Sequence, residues 1–166
     1  MSALPWSDAL ALNEPHLDST HQEFVELLGA LERSLDPATV GSAGLANASA
    51  ALQALVSHCE SHFGMEEAWM RAMGFEDGNC HFTQHRQVLE VARDVPARIE
   101  HEPADEVQGY LERLVLGLAE WFPMHAQQMD AALVYAMQEL KLEPQELKLE
   151  PQELKLEPQA LVASAA

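Results

Sequence analysis

What most constrains this chain is a set of seven polar residues placed where helices need apolar ones. Four stretches carry apolar residues at intervals of three and four, the period of one buried helical face. The first runs His21, Phe24, Leu28, Leu31 and Leu35, and the second Leu45, Ala48, Leu52, Leu55, Cys59, His62, Glu66, Trp69 and Met73. The third runs His81, His85, Val88, Ala92, Val95 and Ile99, and the fourth Val107, Leu111, Leu114, Leu118, Trp121 and His125, with Asp130 just beyond. Every stripe therefore carries an imidazole. Residues four apart share a helical face, so His62 with Glu66 and His81 with His85 each form a two-pronged clamp aimed in one direction.

Short connections between the stripes make neighbouring helices antiparallel. The expected fold is all-α: an antiparallel up-down-up-down four-helix bundle over residues 1–140, with an N-terminal arm and a repetitive C-terminal tail. The first helix is expected to be capped by Asp18 or Ser19, with Gln22 or Glu23 completing a capping box. Asp36-Pro37 and the small residues that follow separate it from the second, which Gly74 and the polar run Glu76 to Asn79 should end. Pro96 falls inside the third pattern and predicts a kink or a stop near Asp94 to Val95.

Residues 141–161 are near-copies of one heptad, KLEPQEL, KLEPQEL and KLEPQAL. Pro144, Pro151 and Pro158 would each cost a helix interior ~3 kcal/mol, so a continuous coiled coil is not expected. Residues 141–166 read instead as an extended or disordered low-complexity appendage.

Composition removes several functions. The formal charge of -18, from 27 acidic against 9 basic residues, opposes nucleic acid, whose binding rests on Lys and Arg neutralising phosphates. No signal-like start and no apolar run of about 18 residues is present, so a cytoplasmic protein without membrane insertion is expected. Cys59 and Cys80 form no Cys-x-x-Cys pair and read as small buried hydrophobes.

One histidine on a core stripe is ordinarily satisfied by a neighbouring hydrogen bond. Seven such intrusions, each costing about 1–3 kcal/mol if unsatisfied, call for something common to them all, and a metal cluster supplies it. Five imidazoles and two carboxylates suffice for two ions. Structural zinc favours Cys-rich sets and calcium or magnesium favours oxygen, whereas imidazole suits iron, copper, zinc and nickel. Carboxylates from two helices can bridge a pair of ions inside a bundle, which favours iron. His125 and Asp130, five apart, would stand about 140° apart on a regular helix. Both reach one site only if a wide turn separates them, and Pro123 is placed to disturb the helix there.

Taken together, Trp6, Asp18-x-x-His21, His62-Phe63-x-x-Glu66-Glu67 with Met70 following, His81-x-x-x-His85 and Trp121-x-x-x-His125-x-x-x-x-Asp130 give residues 6 to about 135 a specific signature. In this the chain resembles the hemerythrin family, in its bacterial branch. The resemblance implies two Fe ions in a non-haem, oxo- or hydroxo-bridged centre that binds O2 reversibly. It implies that His81, His85 and His125 saturate one iron, that His21 and His62 hold the other, and that Glu66 and Asp130 bridge them. It also implies an O2 pocket at the second iron, walled by Phe63, Trp121, Phe122 and Ala126. Ala126 departs from the family, where a larger aliphatic residue is common.

The expected function is O2 storage, delivery or sensing, with O2 as ligand and an unidentified protein acceptor or tail-binding partner. The competing expectation is a di-iron enzyme or iron-repair protein handling nitric oxide, peroxide or iron. A third makes the repeats a docking element. Glu67 is expected to be solvated, His58 hydrogen-bonded or at the surface, and His101 exposed.

Overall fold

The computed structural model describes residues 2–36 and 44–141. The loop expected from Pro37 to Ala43, and the repeats from residue 142 onward, lie outside the described residues. Among those described, all regular structure is helical. A short arm with one 3-10 turn, Asp8–Leu10, precedes α1 (Pro15–Ser34), α2 (Gly44–Ala72), α3 (Cys80–Arg93), α4 (Val95–His101) and α5 (Ala104–His125). A π-helical turn, Ala126–Asp130, then leads directly into α6 (Ala131–Glu139).

These pieces make four antiparallel rods, with α3 and α4 forming the third and α5 to α6 the fourth. α1 packs on α2 and α5, α2 on α3, and α4 on α5, which closes the ring of a four-helix bundle. No helix among the described residues is long and apolar enough to cross a membrane.

Local chemistry explains most boundaries. α1 begins a turn before the expected Asp18 or Ser19 cap, because Pro15 occupies its first position and the Glu14 carboxylate accepts from the Leu17 N–H at 2.7 Å. Asp18 Oδ1 accepts instead from the Leu12 N–H at 2.6 Å, tying the arm to the helix. α2 ends in a Schellman motif: Gly74 takes φ +82°, Gly74 N–H donates to Arg71 and Phe75 N–H to Met70. Asn79 caps α3 through the Phe82 N–H at 3.1 Å. The third rod breaks at Asp94, with Pro96 in the first turn of α4, as the ring geometry requires.

Apolar residues divide into two clusters. The larger joins Phe24, Leu28, Leu31, Leu52, Leu55, Leu111, Leu118 and Phe122; the smaller joins Leu17, Trp69, Met70, Phe82, Leu133, Val134 and Met137. Along the first, second and fourth rods, the polar intrusions fall between the two. His21 lies between Leu17 and Phe24, His62 and Glu66 between Cys59 and Trp69, and His125 and Asp130 between Phe122 and Leu133. The bundle thus seals a polar layer at both ends with hydrocarbon.

Candidate metal centre

All seven intruding residues meet in that layer, and none is more than 5% exposed. Their donor atoms form two groups: Glu66, His81, His85, His125 and Asp130 within 4.8 Å of one another, and His21, His62 and Glu66 within the same limit. The carboxylates divide their oxygens between the groups. Glu66 Oε1 lies 3.1 Å from His62 Nε2, while Oε2 lies 3.1 Å from His85 Nε2 and 3.4 Å from His81 Nε2. Asp130 Oδ2 lies 3.2 Å from His21 Nε2, while Oδ1 lies 3.0 Å from His81 Nε2 and 3.2 Å from His125 Nε2.

Asp130 reaches this point because of the π-helical turn. The fifth residue after His125 is carried back to the buried face by one wide turn, the distortion that the spacing required. Pro123 lies inside α5 one half-turn before His125.

Proximity here is not the same as hydrogen bonding. His21 Nε2, His81 Nε2, Glu66 Oε2 and both Asp130 oxygens are buried with no hydrogen-bond partner among the described residues. Each would cost about 1–3 kcal/mol if left unmet. A cation meets them all at once, and a mixed set of imidazole and carboxylate donors suits iron. The residues present therefore fit a pair of metal ions, with each carboxylate able to serve both.

Electrostatics agrees with that fit. Burial works against ionising Glu66, but His62, His81 and His85 hold it well below the usual carboxylate range. Burial and the Glu66 charge push Asp130 up, yet the imidazoles of His125, His21 and His81 close against its oxygens hold it low. Burial opposes protonation of His81, but Asp130 and Glu66 outweigh it and push the imidazole up to about 9. His21 is raised by the same two carboxylates against its burial, whereas burial prevails at His125 and lowers it. Two anions fixed in a closed interior are the field a divalent cation would enter.

Three of the outward nitrogens are anchored. His21 Nδ1 lies 3.4 Å from the Leu10 carbonyl, His85 Nδ1 3.3 Å from Glu67 Oε1, and His125 Nδ1 2.8 Å from Gln84 Oε1. Glu67 is therefore not the solvated residue that the sequence suggested: it is half-buried and is held in turn by Arg71 at 3.2 Å. Gln84 was missed altogether. Its only signal was adjacency to His85 on α3, one residue off the apolar stripe.

Aromatic rings line both sides. Phe63 stacks on His85 with centroids 4.0 Å apart, and Trp121 on His125 at 4.3 Å. Phe122 meets His21 edge-on at 5.1 Å and stacks on Phe24 at 4.3 Å. Ala126 is fully buried. Phe63 and Trp121 thus lie against the three-imidazole group, and Phe122, with Phe24, against the two-imidazole group.

The remaining candidates lie apart. His58 pairs with Glu23 at 3.2 Å, and His101 is exposed. Cys59 is buried, which pushes its thiol up to about 12, but Cys80 is exposed, contrary to expectation. Cys80 starts α3 at the bundle surface, and its thiol lies 3.7 Å from the Met129 sulfur.

A bundle enclosing five imidazoles and two shared carboxylates defines a class of protein that keeps cations in its interior. Residues 14–136 match the family model described as Hemerythrin HHE cation binding domain. A bacteriohemerythrin of Ralstonia nicotianae is 37% identical over 130 residues, covering 78% of this chain and 85% of the relative. Bacteriohemerythrins of Pseudomonas paraeruginosa and Pseudomonas aeruginosa are each 26% identical over 140 residues, covering 83% of this chain and 84% of theirs. The chain belongs to the hemerythrin family.

Proposed function

We propose that this protein binds O2 reversibly at a pair of non-haem irons, as a carrier or store. The observation that carries this reading is the division of the carboxylate oxygens: Glu66 and Asp130 each present one oxygen to the three-imidazole group and one to the two-imidazole group. Family membership and the names of the bacteriohemerythrin relatives support it.

His81, His85 and His125 would hold one iron, His21 and His62 the other, with Glu66 and Asp130 shared. When bound, such a pair supplies two reducing equivalents and, on the side with fewer imidazoles, an open position for O2. The chain's own contribution is to place the imidazoles, to supply the bridging anions and to exclude water. Phe122 and Phe24, each 1% exposed, cover the His21 side with hydrocarbon, and Ala126 closes the same layer from the π-helical turn. A dry wall of this kind slows displacement and hydrolysis of a bound ligand.

Metal analysis of purified protein, together with visible spectra of the reduced form before and after air, tests the reading. Two irons per chain and an absorption band that disappears on removing O2 are expected. Irreversible bleaching with turnover of nitric oxide or peroxide would instead make it a di-iron enzyme. Deleting residues 142–166 should leave O2 binding unchanged if the repeats are a separate appendage.

A further inference from the structure

We propose that Gln84 is a positioning residue for this centre: it fixes the tautomer of His125 and, being a neutral acceptor, keeps the potential of the iron pair above the value a carboxylate there would impose. The inference rests on the di-iron reading given above.

The indole Nε1–H of Trp121 can only donate. The atom 3.0 Å from it on Gln84 must therefore be the amide oxygen. That same oxygen lies 2.8 Å from His125 Nδ1, so the proton of the His125 ring sits on Nδ1. His125 Nε2 is left with a free lone pair, 3.2 Å from both Asp130 Oδ1 and His85 Nε2, where a metal would be held. Trp121 completes the support by stacking on the His125 ring, planes 30° apart, so one amide oxygen locks both partners of the stack. Gln84 and His85 are neighbours on α3, while Trp121 and His125 lie one turn apart on α5. One register between two helices thus sets a donor and the orientation of its neighbour.

His85 is supported differently. Its Nδ1 faces the carboxylate of Glu67. An anionic acceptor on the outer N–H makes an imidazole a stronger donor and favours the more oxidised metal, whereas an amide does so less. The centre therefore combines one anion-backed imidazole with one amide-backed imidazole on the same side. Placing a second anion behind His125 should shift the balance toward the oxidised pair.

Iron-loaded full-length Gln84→Glu and Gln84→Leu proteins, compared with the parent, test this. Gln84→Glu should keep two irons per chain, lower the midpoint potential and speed air oxidation relative to the parent. Gln84→Leu, which removes the acceptor, should weaken iron binding by about tenfold or more. In metal-free, 15N-labelled protein at neutral pH, the parent and Gln84→Glu should show His125 as the Nδ1–H tautomer and a slowly exchanging Trp121 indole proton, and Gln84→Leu should lose both. An unchanged potential in Gln84→Glu, or unchanged tautomer and iron affinity in Gln84→Leu, would overturn the inference while leaving O2 binding standing. Failure of the parent to take up iron would overturn the di-iron reading and the claim about potential together, while the tautomer comparison would still decide whether Gln84 positions His125.

Discussion

The phenyl ring of Phe63 lies flat on the imidazole of His85, with centroids 4.0 Å apart and planes 4° from parallel. Phe63 follows His62 in α2, so the residue beside one histidine of the buried cluster stacks on the ring of another on α3. Removing that face should affect both fold and site. Phe63→Ala should destabilise the metal-free protein by about 3–5 kcal/mol, the usual range for a buried Phe, whereas Phe63→Leu should cost about 1 kcal/mol. Urea unfolding measures both. Iron retention on dialysis should fall in the alanine variant, and unchanged retention would show that the stack does not orient His85.

The π-helical turn makes a second, geometric prediction. It absorbs one residue, so that Asp130 returns to the buried face as if it stood four after His125. Deleting exposed Gln128 should convert the turn to ordinary helix while leaving the carboxylate and the α6 core residues Leu133, Val134 and Met137 in register. Inserting one alanine after Gln128 should instead rotate all of them by roughly 100°. Iron per chain should survive the deletion and collapse on insertion, with helical content by circular dichroism nearly unchanged in the former. Loss of iron in both variants would show that the wide turn itself is needed.

Periodicity made the bundle and its buried polar layer legible, because His21, His62, Glu66, His81, His85 and His125 each interrupt a 3-4 apolar stripe. The spacing of His125 and Asp130 even required the distortion between them. What periodicity could not reach lies off the stripes. Glu67 and Gln84 occupy half-buried flanks, where polar residues are ordinary and only the packing of a second helix turns them into supports. The Leu10 carbonyl is a backbone atom and leaves no trace in residue identity. The start of α1 was readable but misread, since Glu14-Pro15 is a cap followed by a proline at the first helical position.

Ala126 sets up a prediction about ligand loss. It is fully buried beside Phe122 and His125, at the point where the apolar cluster meets the polar layer. Its single methyl leaves less hydrocarbon over the centre than a branched side chain would. Ala126→Ile should slow autoxidation of the oxygen-bound protein, at a packing cost of about 1–3 kcal/mol in unfolding experiments. Stopped-flow decay of the oxygenated spectrum checks this. An unchanged decay would mean that water does not approach from that side.

Protons and metal compete for the same interior, and the competition has a sign. In the metal-free protein the carboxylates Asp130 and Glu66 hold His81 up to about 9 against its burial. Its unfolded value is about 6.5, so the stabilisation is complete below that pH and is lost as pH rises through about 9. Glu66 and Asp130 are depressed, so their contribution is present above about pH 4 and is lost as acid approaches their folded values. His125, lowered by burial, adds to the loss on the acid side. Metal-free stability should therefore be greatest near about pH 6.5 and decline on the alkaline side. Metal reverses the alkaline slope, because imidazoles bind it only when deprotonated. The gap in urea midpoint between iron-loaded and metal-free protein should widen from about pH 6 to about pH 9, and His81→Gln should flatten the alkaline decline of the metal-free form. A gap that stays constant would mean that His81 does not exchange its proton for metal.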